Sequence, residues 1–321
     1  MRQNFRVLAN GADITADLSD RLVSLTITDE AGETSDKAEI ELDDRDGLLA
    51  LPESGAELKI SLGLGFALVD MGTFTVDEVG GDFFPATMRI SAKAANMLGE
   101  IRARRNRHWK DVTLSDIVEK IAGEHGLKPR VSDTLAGTFY KYLVQTSESD
   151  LNLLTRLARE LDAVAKPAGQ SLIFVPRGEG KAGDGSALPV IPILRSQMQD
   201  GGTWKQGSRK RYGKVTAEWN DKKTGQVKKH TEGDKAPELR LRHPFASEAE
   251  AKKAAKGALD RSKRSSKITI SLVGFWPQLL AEAKVNLVDV RPGLTGEWLV
   301  KSVSHILNGA LTTSFIAERP D

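Results

Sequence analysis

Two capped amphipathic helices lie in the middle of this 321-residue chain, between two long stretches that read only as strand, and that interruption constrains the fold most. The first helix begins at Thr113, whose hydroxyl accepts from free first-turn amides, with Asp116 three residues on favouring the positive end of the dipole. Leu114, Ile117, Val118 and Ile121 form its apolar stripe, and Gly126, after His125, takes the left-handed stop position. The second helix opens at Ser147 or Ser149 and buries Leu151, Leu154, Leu157, Ala158 and Leu161, leaving Arg156, Arg159 and Glu160 outward. Residues 164–166 and 171–175 then read as a hairpin turned by Pro167-Ala168-Gly169-Gln170. The expected fold is mainly β with an α/β insertion (α+β): two similar β-barrel domains flanking a small α/β domain.

Strands dominate on either side. Residues 5–8 lead into an Asn10-Gly11 turn, 22–28 alternate around Val23, Leu25 and Ile27, and 37–42 alternate before the turn at 43–47. Residues 58–62, 73–79 and 88–93 follow, enough short strands for a barrel or sandwich. A Gly-rich stretch at 177–202 marks a boundary. Its Gly178-x-Gly180-x-x-Gly183 spacing mimics a dinucleotide fingerprint but fails, because Pro189 and Pro192 leave no helix to receive phosphates. Strands resume at 190–194 and 214–219, the latter read as a barrel strand, and a polar hairpin is built on Lys222-Lys223-Thr224-Gly225. A third helix is capped by Ser247 and Glu250, strands follow at 267–273 and 284–290, and Asn308-Gly309 joins 298–307 to 311–317. The domains expected are a barrel over 1–98, an α/β domain over 99–180, and a second barrel with one inserted helix over 181–321.

Two distant segments repeat one pattern, Gly-x-aromatic-x-Val-x-x-Val. In the first copy it is Gly72, Phe74, Val76 and Val79; in the second it is Gly296, Trp298, Val300 and Val303. Each is preceded by a strand and followed by a turn and an alternating strand, as expected if one barrel motif is duplicated.

The net charge of +2 hides a gradient. Residues 1–98 carry 8 Lys and Arg against 18 Asp and Glu, residues 99–180 carry 13 against 11, and residues 181–321 carry 25 against 15. Surfaces of opposite sign in one chain suit either contacts between copies or contacts with different partners. The absence of cysteine excludes disulfides, thiolate metal sites and a cysteine nucleophile. No signal peptide or membrane anchor is expected. The five histidines show no ligand spacing, and neither a nucleophile elbow nor a phosphate loop occurs. Catalytic residues, metals and cofactors are therefore not expected.

Loop or interface contacts are expected from Arg104, Arg105 and Arg107, in a basic run read as a solvated linker or an anionic contact, and from Arg209, Lys210, Arg211, Lys222 and Lys223. Two alternatives are a nucleic-acid groove over 205–229, where nine basic residues interleave with Trp204, Tyr212 and Trp219, and a glycan-binding module centred on 114–175.

Spaced matches in order carry a family resemblance. They are Leu25-Thr26-Ile27-Thr28-Asp29 with residues 36–44, Trp109 with residues 113–118, residues 149–151 with 157–160, and Gly296-Glu297-Trp298-Leu299-Val300 with His305. The chain resembles the phage late control D proteins, baseplate hubs of contractile tails, related in fold to the hubs of larger myophages and to the N-terminal part of type VI secretion spike proteins. The resemblance implies a non-enzymatic homotrimer whose six barrels form a pseudo-sixfold ring between tail tube and spike, in a phage or a tail-like bacteriocin. Implied partners are the central spike protein, the tail tube protein, the tape-measure protein and other baseplate subunits, including the small tail protein X. DNA would at most pass through the lumen. Assembly in host cytoplasm and residence in the baseplate follow.

Overall fold

Alternating apolar residues in the first block form seven strands in a computed structural model that describes residues 3–32, 35–94, 100–168, 170–180, 188–207, 211–221 and 224–319. They are β1 (Gln3–Ala9), β2 (Ala12–Asp13), β3 (Leu22–Glu30), β4 (Lys37–Asp43), β5 (Glu57–Leu64), β6 (Ala67–Phe83) and β7 (Ala86–Ala94), with a short helix α1 (Thr15–Ser19) after β2. The middle block contributes β8 (Arg104–Thr113), α2 (Leu114–Glu124), β9 (Lys128–Val131), α3 (Asp133–Ala136), β10 (Phe139–Ser149), α4 (Asp150–Glu160), β11 (Ala163–Ala168) and β12 (Ser171–Pro176). The last contributes β13 (Val190–Leu194), β14 (Thr203–Gln206), β15 (Lys214–Asp221), β16 (Gln226–Gly233), β17 (Glu238–Arg240), α5 (Glu248–Lys263), β18 (Ser266–Leu272), β19 (Lys284–Val288), β20 (Gly296–Leu307) and β21 (Leu311–Glu318).

Helix ends follow the chemistry of their caps. Thr113 and Asp116 form a reciprocal capping box on α2, and Ser149, rather than Ser147, caps α4 by accepting from the Asn152 amide at 3.2 Å. The apolar stripes of α2 and α4 close over β11 and β12 in one core that runs from Ile101 to Phe174. Each such side chain contributes about 1.5–3 kcal/mol on burial.

The first and last blocks share one 13-stranded sheet among the described residues. Within it two runs of six strands have the same lateral plan, β3-β4-β7-β6-β5-β1 and β14-β18-β21-β20-β19-β13. The agreement extends to register. Gly72 and Gly296 both have left-handed φ, +111° and +110°. Phe74 pairs with Leu58 where Trp298 pairs with Val285, and Val79 pairs with Ile90 where Val303 pairs with Phe315. The register shifts between Val76 and Glu78 in β6 and between Val300 and Ser302 in β20. The plans part at one strand: β1 lies antiparallel to β5, whereas β13 lies parallel to β19.

Two readings of the sequence need correcting. Residues 214–219 do not belong to the large sheet. As β15 they join β16 and β17 in a separate sheet, where Val215 and Ala217 face Ala251, Ala255 and Ala258 of α5. Their alternation is real, but the surface they meet is the small-residue face of a helix, so a whole α+β unit is inserted where one helix was expected. Nor is the basic run a linker. Arg104, Arg105 and Arg107 lie on β8, which pairs with β10, because residues 105, 107 and 109 point one way and 104, 106, 108 and 110 the other. The domain boundary at 98–99, and Gly183 and Gly185, lie outside the described residues.

Candidate functional site

The two six-strand runs meet where β20 changes partner. Along one edge, Gly296 to Leu299 pair with β19, and Ser302 to Leu307 pair with β3. The change follows the register shift at Lys301, which turns the strand off β19 and frees its edge. Thr28 and Ser304 bring their hydroxyls to 3.0 Å across this joint. Leu307, opposite Leu25, leaves its own run and packs with Leu311 in the core of the first.

A charged cluster pins the middle block to the joint. Lys166 Nζ donates to Asp29 Oδ1 (3.0 Å), Asp36 Oδ1 (3.2 Å) and the Glu30 carbonyl (2.6 Å), while Asp29 Oδ2 accepts from the Ala281 amide (2.8 Å). Asp29 thus ties β3 both to the Lys166 ammonium of β11 and to the segment before β19. Burial opposes its charge, yet Asp29 and Asp36 together hold its pKa above the usual lysine value. Burial also drives the Asp36 carboxyl well above its ordinary range, against the pull of Lys166.

His305 sits beside this cluster, 2% exposed, with Nδ1 3.0 Å from Thr313 Oγ1 and its ring edge-on to Phe275 at 5.1 Å. Burial depresses its pKa from 6.5 to about 4, only partly opposed by Asp29. A depressed histidine contributes stability that is complete above the unfolded value and lost as pH falls through the folded one. Acidification from pH 6.5 to 4 should therefore remove about 3 kcal/mol through this group. Urea titrations across that window check it: His305→Gln should flatten the pH slope, and an unchanged slope would contradict the assignment.

Equivalent edges elsewhere carry no partner among the described residues. Beyond Val76, β6 is paired only with β7 among the described residues, so the other edge of residues 78–83 is open, and Phe83 at its end is 89% exposed. Among the described residues β14 pairs only with β18, and Trp204 on it is 51% exposed, with Arg291 5.4 Å from its ring centre. β14 was not expected from sequence.

Of the expected contacts, Arg105 and Arg107 are engaged internally. Both reach Glu124 Oε2, and both lie 3.7 Å from Asp150 Oδ2, whose carboxylate is fully buried and also contacts His125 Nε2 at 3.0 Å and Gln145 Nε2 at 2.9 Å. Glu124, His125 and Asp150 have the proximity of a metal site. Two guanidiniums on the same carboxylates already balance their charge and would repel a cation. Arg104 and Arg211 are exposed. Arg209, Lys210, Lys222 and Lys223 lie outside the described residues. Among the described residues in and beside 205–229, Trp204 and Lys205 are on the large sheet, while Tyr212 and Trp219 pack on the α5 unit. There Lys228 pairs with Asp221 at 2.6 Å and lies over the Trp219 ring. In 114–175 the apolar helix faces are core. No helix among the described residues is long and apolar enough to cross a membrane.

Comparison with known proteins bears on this arrangement. Residues 72–310 match the family described as phage tail baseplate hub (GPD). A probable baseplate hub protein of Escherichia phage P2 is 32% identical, covering 98% of this chain and 92% of its own. A 43 kDa tail protein of prophage MuSo2 from Shewanella oneidensis shares the fold, with a TM-score of 0.75 at 18% identity over 99% of this chain and 98% of its own. An Escherichia coli component of the type VI secretion system matches 99% of this chain with 76% of its own, at a TM-score of 0.57 and 12% identity.

Proposed function

The chain belongs to the phage tail baseplate hub family, a structural and not an enzymatic family, and on that premise we propose that it acts as a trimeric, pseudo-sixfold adaptor between tail tube and central spike. One observation carries this reading: two six-strand runs share lateral order, register and bulge position within one polypeptide. Each run is one copy of a duplicated barrel, with the middle block and the α5 unit as insertions. A ring of three chains then offers six similar faces to a sixfold tube and three identical ones to a threefold spike.

The hub works through surfaces. Its partners are other copies of itself, the spike, the tube, the tape-measure protein and further baseplate subunits, including the small tail protein X, with DNA passing through the lumen. Assembly takes place in host cytoplasm. Opposite charge at the two ends of the chain steers copies together in head-to-tail order, an attraction that weakens as salt rises. Light scattering on the purified protein tests the reading: a mass three times that of one chain is expected, and a single chain at high concentration would overturn it.

A further inference from the structure

The joint inside each chain specifies a second joint between chains. On β20, the edge past the bulge is taken by β3. On β6, the matching edge past the matching bulge has no partner among the described residues. In the second run the strand that matches β3 is β14, which lies at the end of the sheet with one edge unpaired among the described residues. Each chain therefore holds one open edge of each kind. Heterologous edges of this type build a ring when the rotation between units completes a full turn without a rise, and an open filament otherwise.

Register carries over residue by residue. Val300 corresponds to Val76, since they pair with Ala317 and Ala92, so Ser304 corresponds to Gly80 and His305 to Gly81. Ala38 and Ile268 occupy the next matched positions, and their partners are Ile27 and Trp204, so Thr28 corresponds to Lys205. We propose that β14 of one copy pairs antiparallel with residues 78–83 of β6 in a second copy, with Trp204 opposite Gly81 and Lys205 opposite Gly80. The proposal rests on the trimer reading above and names the edges that make it.

The side chains at these edges complement one another. Trp204 would lie over Gly81, which has no side chain of its own, the arrangement by which a cross-strand aromatic covers a glycine. A Cβ at Gly81 would sit 1.9 Å from the Thr87 carbonyl oxygen, so the position is closed to larger residues. Lys205 would stand diagonal to Glu78 and Asp82, opposite charges within cross-strand reach. Phe83 corresponds to Leu307, which within the chain is buried in the neighbouring run. Its exposure in the single chain is that of an anchor without its socket. Left unpaired, such edges invite aggregation, and pairing with a second copy removes the hazard.

The lack of cysteine makes the register directly testable. In the intrachain joint the side chains of Thr28 and Ser304 touch, so a Gly80→Cys, Lys205→Cys double variant should form a disulfide between chains. A Cβ at Gly80 meets no atom within 4 Å, and Lys205 is exposed, so both changes suit the fold. Mild oxidation should lock most of the protein as a three-chain species in denaturing gels. The offset pair Gly80→Cys, Trp204→Cys should link at least tenfold less. Phe83→Asp should raise the concentration for half-dissociation at least tenfold. Three-chain particles that link no better at 80/205 than at 80/204, or that ignore Phe83→Asp, would overturn this edge while leaving the trimer standing. A protein that stays single in light scattering would overturn both.

Discussion

Replacing Lys166 by Met should destabilise the protein by about 3–5 kcal/mol, the usual cost of removing one partner from a buried ion cluster. The lost ammonium serves two carboxylates and a main-chain carbonyl at once. Without it, Asp29 and Asp36 face each other with reduced access to water. Asp36, already raised by burial, would rise further and take up a proton on folding. The deficit should shrink as pH falls from 7 to 5, because a group whose folded pKa is raised stabilises below that value and loses the contribution as pH rises. Adding Asp36→Asn should restore more than half of the loss at pH 7. Chemical denaturation of the three variants at two pH values checks this. A deficit that is independent of pH, or no rescue by Asp36→Asn, would place the stabilisation elsewhere.

Trp298→Ala should cost about 3–5 kcal/mol, as large-to-small changes in a packed core do. The ring is 1% exposed, its Nε1 donates to the Leu294 carbonyl at 2.8 Å, and Arg319 lies 5.7 Å from its centre. Phe74, in the matching position of the first run, is as deeply buried but has no polar atom to satisfy. Trp298→Phe should therefore lose about 1–2 kcal/mol, from the unpaired carbonyl and the smaller ring. Thermal or urea melts of the two variants separate the cases, and an alanine variant within 1 kcal/mol of the parent would contradict the packing described.

How much of this was legible in the sequence depended on how local each signal was. The capped helices and the Asn308-Gly309 hairpin rest on contacts between near neighbours, and they stand close to where their residues placed them. The Gly-x-aromatic-x-Val-x-x-Val echo is also local, because the glycine conformation and the bulge are properties of one strand. β8 is hard to read from sequence because its clustered arginines have the composition of a solvated run. The signal was there in Arg105, Arg107 and Trp109, which recur every second residue and face Glu124, Asp150 and the helix α2. β14 gives no period at all, since its four residues are all exposed, and its strand character comes from β18 alone. The Lys166 cluster joins residues 137 apart in sequence, so no window of local pattern contains it. The assignment of 214–219 to a barrel failed for a related reason: alternation shows that a face is buried, not what it is buried against.

Single-particle images of the assembled protein, viewed down its axis, test the central claim most directly. Two equivalent strand runs per chain, joined inside and between chains by the same kind of edge, predict a closed ring of six similar lobes built from three chains. A ring of three lobes, six lobes contributed by six chains, or an open chain of subunits would contradict it.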